Sequence, residues 1–196
     1  MDYEIVNAVP EDAPEIARAI TVALHMGEID AAIDCSPEEL ELWKKVFTNL
    51  AQRDDSQYSY KNTLKAVLSD GNSAGYIIGY DGADLHKLRE VFFDEVEKTV
   101  GKSYRGIADE TSPDEWYLDT LAVWPEYRCK GIGEKLLRAA SIKGLINGKP
   151  IGLLVDKENH SGRRLYERVG FQNVGDRPFA GVIMDHMQLI QNLNIQ

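Results

Sequence analysis

Apolar residues recur at two different periods along the chain, and the changes of period mark its elements. Tyr3-Glu4-Ile5-Val6 reads as a short strand. Residues 11–24 follow as a helix, with Pro10 and Asp12 near its start and Ile16, Ala19, Ile20 and Ala23 as an apolar stripe. Ser36-Pro37-Glu38-Glu39 has the chemistry of a second helix start, with proline in the first turn, and Leu40, Trp43, Val46, Phe47 and Leu50 carry its helical spacing. Residues 62–68 and 74–80 are strand-like runs on either side of Ser69-Asp70-Gly71-Asn72, which predicts a hairpin. Leu85–Val100 reads as a third helix, with Leu85, Leu88, Val91, Phe92 and Val96 on one side.

The next strand, Trp116–Val123, comes about 35 residues after the hairpin. A gap of that length is more often an elaboration of function than a plain connection. From there the pattern runs through a glycine-containing turn at 124–133, a helix at 134–145, a strand at 151–155, a helix at 161–169 closed by Gly170, and a last strand at 180–189. A β-α-β-α-β series behind an antiparallel hairpin predicts an α/β chain of mixed α+β character, a mixed sheet covered by helices. No linker or repeat divides the 196 residues, so one domain over 1–196 is the simplest organisation.

Composition narrows the function classes. The 43% hydrophobic and 28% charged content is that of a globular chain, and no apolar run approaches the roughly 18 residues of a membrane span. Met1-Asp2-Tyr3-Glu4 lacks the basic start of a secretory signal, so the cytoplasm is the expected compartment. Cys35 and Cys129 are too few for a disulfide scaffold, and His25, His86, His160 and His186 lack ligand spacing, so no metal is expected. A net charge of −10 argues against nucleic acid as the main ligand. That charge is uneven: residues 1–123 carry −14 and residues 124–196 carry +4. Two ligands of opposite sign and plain solvated surface both fit this split.

The most informative stretch is Val123-Trp124-Pro125-Glu126-Tyr127-Arg128-Cys129-Lys130-Gly131-Ile132-Gly133-Glu134. Two glycines opening an amphipathic helix let backbone N–H groups approach an anion, and Arg128 and Lys130 add positive charge there. A pyrophosphate is the natural ligand. A Walker A loop is excluded because no Gly-Lys-Ser/Thr follows. A dinucleotide fingerprint has Gly131, Gly133 and Asp156 in its favour, but Leu136 replaces its third glycine and the turn after Val123 is too long.

The pattern Val123-x-Pro125-x-x-Arg128-x-Lys130-Gly131-x-Gly133 resembles the acetyl-coenzyme A loop of the GCN5-related N-acetyltransferase (GNAT) superfamily. Downstream, Asn159-x-x-Gly162-x-x-Leu165-Tyr166-Glu167-Arg168-Val169-Gly170-Phe171 resembles a second motif of that family, with Gly162 in place of the usual alanine. The resemblance covers residues 116–171. It implies a GNAT-like central mixed sheet with splayed fourth and fifth strands, flanked by helices, with a helical insertion at 82–114 before the fourth strand. It implies acetyl-CoA as co-substrate, held by Leu121, Ala122 and Val123 on the fourth strand, by backbone N–H groups of Arg128, Cys129, Lys130, Gly131, Ile132, Gly133 and Glu134, and by Asn159 and Tyr166.

The same resemblance implies N-acetyl transfer to a primary amine, with Tyr166 as general acid. It draws the base from Tyr117 or Asp119. Period-2 alternation puts Tyr117, Asp119, Leu121 and Val123 on one face of the strand. Asp119 is the first choice, directly or through water held with Tyr117, and a hydrogen-bonded structural acid or a cation-binding group is the competing role. Tyr117 suits the wall of the acceptor pocket, and Glu115 is a weaker alternative base. The acidic first part suits a cationic acceptor, whether a small molecule or a protein amine. The 82–114 segment fits a lid, a homodimer contact or a packed surface helix, with Phe92 and Phe93 as core. A non-catalytic acyl-CoA-binding module is the alternative to an enzyme; no membrane partner is expected.

Overall fold

The computed structural model describes residues 2–26 and 35–190. Among them the elements are β1 (Tyr3–Asn7), α1 (Ala13–Ala23), α2 (Pro37–Ala51), β2 (Thr63–Leu68), β3 (Ser73–Asp81), α3 (Leu85–Val100), β4 (Trp116–Val123), α4 (Ile132–Ile146), β5 (Ile151–Asp156), α5 (His160–Val169), β6 (Phe171–Phe179) and β7 (Val182–Leu189). The strands form one sheet in the order β1-β2-β3-β4-β5-β7-β6. Only β4 and β5 run parallel; the other neighbours are antiparallel. This is the expected mixed sheet flanked by helices. None of the helices among these residues is long and apolar enough to cross a membrane.

Local chemistry accounts for the boundaries. Ser36 and Glu39 form a reciprocal cap at the start of α2: Ser36 Oγ accepts from the Glu39 N–H at 3.2 Å, and Glu39 Oε2 accepts from the Ser36 N–H at 3.1 Å. Such a cap contributes about 1 kcal/mol. Gly101 and Gly170 close α3 and α5 in the left-handed conformation. One strand escaped the sequence reading. In β6 only Phe171 is buried, and Gly175 and Pro178 interrupt it, so it shows neither alternation nor an apolar run. It is an edge strand that pairs with β7 alone, and an edge tolerates proline and one-sided exposure.

Two cores sandwich the sheet. On one face, Ile16 and Ile20 of α1 and Trp43, Phe47 and Leu50 of α2 pack on Tyr76, Ile78 and Ala122. α3 joins this layer through Val96, with Val91, Phe92 and Val100 partly buried against it. The 82–114 segment is thereby anchored through a packed helix, and Phe92 and Phe93 are core residues as expected. On the opposite face, Leu136, Leu137 and Ala140 of α4 pack on Ala66, Ile77, Leu118 and Leu153, and α5 contributes Val169.

Contact between α4 and the sheet is closest at Gly144, where a Cβ would overlap Trp116 Cβ and Ile151 Cδ1. An alanine in a helix interior is usually better than glycine by about 1 kcal/mol. Here the overlap involves the root of the Trp116 side chain, which cannot rotate away, and overpacking costs about 1–3 kcal/mol. Gly144→Ala should therefore lower stability by about 1 kcal/mol in urea denaturation, against the helix-propensity trend; a gain would show that α4 can lift off the sheet.

Candidate active site

β4 and β5 share only the register pairs Trp116↔Ile151 and Tyr117↔Gly152. Beyond them β5 pairs with β7 through Asp156, and β4 continues to Val123 with β3 alone. The parallel pair therefore opens into a cleft along the second half of β4. The orientation of β4 there follows from one bond: the Trp124 N–H donates to the Ala74 carbonyl at 3.0 Å. In an antiparallel ladder successive residues alternate between partner and open side. Trp124 and Ala122 thus turn their backbone groups toward β3, while Leu121 and Val123 turn theirs toward the cleft. Arg128 uses part of this edge, its Nε donating to the Val123 carbonyl at 3.0 Å.

The β3–β4 register shifts between Ile78↔Thr120 and Gly79↔Leu118, leaving Asp119 opposite no residue. Asp119 is the extra residue of a β-bulge. This corrects the expected alternation. Leu121 and Val123 pack with α4, whereas Tyr117 packs on the opposite face with Tyr80 and Leu85. The bulge inserts one residue and flips the phase, so Tyr117 shares its face with Thr120 and Ala122 rather than with Leu121 and Val123.

Asp119 sits in a buried polar cluster. Its Oδ1 accepts from Thr120 Oγ1 at 2.8 Å, and its Oδ2 lies 3.1 Å from Tyr80 Oη. The same Tyr80 oxygen lies 2.8 Å from Glu110 Oε1. Glu110 is ion-paired through its other oxygen with Arg89, and both are buried. Arg89 also donates to Asp109 Oδ1 at 2.9 Å and to the Ala108 carbonyl at 3.2 Å, so it gathers the 107–110 loop beneath the sheet. Burial pushes the Asp119 carboxyl up from its ordinary value, against hydrogen bonds from Thr120, Tyr80 and Gln57 and the charge of Arg89. Tyr117 stacks edge-on to Tyr80 with ring centroids 5.7 Å apart. Beside this cluster Gln57 is buried, and its Oε1 has no hydrogen-bond partner among the described residues.

Tyr80, Arg89 and Glu110 were not among the sequence candidates. Arg89 had a signal: it stands four residues from both Leu85 and Phe93, inside the apolar stripe of α3. Glu110 carried only the acidic character of the 82–114 segment and Tyr80 had no signal, because only the fold brings β3 and the 107–110 loop to β4.

After β4, a one-turn 3-10 helix (Pro125–Tyr127) leads to Arg128, Cys129 and Lys130, all exposed, and to α4. Cys129 and Gly131 have φ of 59° and 78°, which turn the loop into the start of the helix. The first bond into the helix runs from the Lys135 N–H to the Gly131 carbonyl at 3.1 Å. The N–H groups of Ile132, Gly133 and Glu134 precede it and have no partner within the helix. A Cβ at Gly133 would lie 3.1 Å from Leu165 Cδ2, so glycine there lets α4 approach α5.

Asn159 caps α5, its Oδ1 accepting from the Gly162 N–H at 2.8 Å. The cap explains the glycine at 162, where a Cβ would lie 2.9 Å from the Asn159 amide. Tyr166 is half-buried on α5, edge-on to Phe171 with centroids 6.2 Å apart. Burial raises its hydroxyl to about 12. Glu115, at the foot of β4, is fully buried: Oε1 accepts from Gln188 Nε2 at 2.8 Å and meets His186 Nε2 at 2.7 Å, and Oε2 accepts from Thr111 Oγ1 at 2.8 Å. It rests on Gly152, where any Cβ would overlap the carboxylate.

An opened parallel pair beside a helix N-terminus is the architecture of acyl-CoA-dependent acetyltransferases, and the comparisons agree. The acetyltransferase (GNAT) domain family matches residues 71–173, and the chain belongs to that family. One solved acetyltransferase is 31% identical with a TM-score of 0.74, covering 94% of this chain and 97% of its own. The N-alpha-acetyltransferase RimI of Mycobacterium tuberculosis is 38% identical over 76 residues, which is 38% of this chain and 47% of that protein. The spermine/spermidine N(1)-acetyltransferase of Bacillus subtilis is 29% identical over 132 residues, covering 64% of this chain and 80% of its own. The chain thus spans about half the length of the first of these two curated relatives.

Glu115 yields a prediction about acid stability. Burial pushes its carboxyl up, but hydrogen bonds from His186, Gln188 and Thr111 outweigh burial and hold it below the ordinary value of 4.5. A folded value below the unfolded one means that stability is present above the unfolded pKa and is lost as pH falls through the folded one. Glu115→Gln should lower stability at pH 7 and flatten the loss of stability below about pH 4.5, measured by urea denaturation at stepped pH. An unchanged acid slope would show that Glu115 carries none of it.

Proposed function

We propose that this protein transfers the acetyl group of acetyl-CoA to a cationic primary amine, with residues 1–196 acting as one catalytic domain. The observation that carries the reading is the end of the β4–β5 ladder at Tyr117 and Gly152, with Asp119 bulged out of β4 at that point. The chain fits the co-substrate. Leu121 and Val123 offer backbone donors and acceptors in the cleft, and the turned loop from Arg128 to Glu134 offers N–H groups and exposed positive charge to a pyrophosphate. With its oxygen committed to the α5 cap, the Asn159 amide offers N–H donors to the same ligand.

Acetyl-CoA supplies an activated acyl group; the amine must be neutral to receive it. Deprotonating a lysine-like amine at pH 7 costs about 4.6 kcal/mol, and an α-amine about 1 kcal/mol. Asp119 takes this proton, directly or through a water held with Tyr117. Its upward displacement brings it nearer the working pH, which makes it a better base than an ordinary carboxylate. Tyr166 faces the other end of the reaction. A phenol near 12 stays protonated at neutral pH. Full transfer to a thiolate near 8.5 would be uphill by roughly 5 kcal/mol. Tyr166 therefore acts as a hydrogen-bond donor to the developing sulfur charge, and its proton moves across only as the nitrogen gives up its second proton.

The acceptor side is built from acid. Asp119 and the unpartnered Gln57 oxygen supply acceptors on the face away from α4, with Glu110 behind them paired to Arg89 and Tyr80, which suits an ammonium group. The relatives act on amines of two kinds by their names, an α-amine for one and spermine or spermidine for the other. An acidic cluster suits an acceptor that carries further positive charge, which favours a polyamine-like small molecule.

Free-thiol release from acetyl-CoA should appear with spermidine or spermine and exceed that with amino-terminal peptides at equal concentration. Asp119→Asn should lower kcat by about 10²–10⁴-fold, the usual range for a general base, and Tyr166→Phe by less. Absence of amine-dependent thiol release across the panel would refute the enzyme reading.

A further inference from the structure

Tyr80 Oη lies 2.8 Å from one carboxylate and 3.1 Å from another. A phenol has one proton, so it can donate to Glu110 or to Asp119 but not to both. Whichever carboxylate it leaves must bring its own proton or face an oxygen lone pair. Arg89 biases the choice by pairing with Glu110 through the oxygen that Tyr80 does not touch. From this arrangement we infer that Tyr80 and Glu110 are positioning residues behind Asp119, which share one proton with it and so couple the base to the 82–114 segment. This rests on Asp119 being the base.

The exchange balances without any further reactant. In the resting state Asp119 is ionised and Tyr80 donates to it, while Glu110 is held by Arg89. When Asp119 takes a proton from the ammonium, an N–H bond breaks, an O–H bond forms, and the electron pair stays on nitrogen. The new Asp119 O–H then donates to the Tyr80 oxygen, and the Tyr80 proton swings to Glu110 Oε1. Tyr80 thus holds Asp119 in both states, but more strongly as the anion, because a hydrogen bond to an ionised acceptor is about twice as strong as one between neutral groups. The groups facing Asp119 are Tyr80 from β3, Tyr117 and Thr120 from β4, Gln57 and Tyr58 from the segment after α2, Arg89 from α3 and Glu110 from the loop that follows it. Arg89 is the one permanent cation in this group, and Glu110 the second acid.

The two positioning residues should act in opposite directions. Tyr80→Phe removes a donor to the Asp119 anion, so the carboxyl should titrate about half a unit to one unit higher. Glu110→Gln removes the competing acid and leaves Arg89 facing Asp119, with Asp109 still paired to the guanidinium; Asp119 should then titrate lower. The measurement is a ¹³C-carboxyl NMR titration of the free protein, with the Asp119 signal assigned by its loss in Asp119→Asn, beside the acid limb of the kcat–pH profile. Opposite shifts in both readouts support the inference. Asp119 midpoints unmoved by either variant, or moved the same way by both, overturn it. Should Glu110→Gln fail to fold, Tyr80→Phe alone decides, since it deletes one oxygen and leaves the Arg89–Glu110 pair intact: no upward shift overturns the inference. Failure of the base reading is separately visible. Asp119→Asn would then keep the wild-type kcat and acid limb, which overturns the coupling to catalysis even if the NMR midpoints move.

Discussion

After Tyr117 and Gly152 the two central strands stop sharing hydrogen bonds, and a sheet that parts in its middle must satisfy the freed backbone groups elsewhere. A buried donor or acceptor left without a partner costs about 1–3 kcal/mol. β5 solves this by pairing with β7 along its length. β4 solves it in part, with Arg128 reaching back to the Val123 carbonyl. The remaining groups of Leu121 and Val123 are what the fold offers an amide-containing ligand. Glu115 fixes where the parting begins, because its carboxylate ties β7 and the Thr111 loop together directly over Gly152.

The bulge at Asp119 adds the chemistry to that opening. One extra residue puts a carboxylate beside Tyr80 and shifts the phase of everything after it. Leu121 and Val123 can then anchor β4 to α4 with their side chains, while their backbone edges face the cleft. Without the bulge, the Asp119 carboxylate and these apolar anchors would compete for one face. The cost is a charge cluster under the sheet, and Arg89 and Glu110 contain it because each has a partner. Buried pairs of this kind rarely add much stability beyond what apolar residues would, yet losing one partner is expensive. The 82–114 segment is therefore bound to the site by electrostatics as well as by the packing of Val91, Phe92 and Val96.

The uneven charge takes on a more specific meaning. Part of the basic share of residues 124–196 is consumed internally: Lys157 bridges Asp176 and Asp185, and Arg163 pairs with Asp185 and Glu167. Arg128 and Lys130 stay exposed at the mouth of α4, where an anionic co-substrate would meet them. Of the acidic share, Glu110 and Glu115 are buried and Asp119 is buried enough to be displaced upward, whereas Glu90, Asp94 and Glu97 are engaged by Arg105 on the outside of α3. Among these acids, Glu110 and Asp119 are the ones that lie beneath β3 and β4 beside the opened strand pair.

Most of the elements were legible in the chain because their signals are local. Ser36 and Glu39 announce α2, Gly170 ends α5, and Gly131-Ile-Gly133 opens α4, each through bonds spanning a few residues. Asn159 and Gly162 were legible only as parts of a family motif; their roles as cap and clearance came with the structure, although they are set within one helical turn. What only the tertiary structure decided depends on registers between distant segments. The bulge at Asp119 exists relative to β3, and the meeting of Tyr80, Arg89, Glu110 and Asp119 joins two strands, a helix and a loop up to 39 positions apart. Edge strand β6 is fixed by its partner β7 rather than by its own residues. A sequence records hydrophobic period and turn chemistry directly. Phase shifts and shared protons arise only once strands are laid side by side, since both are properties of pairs.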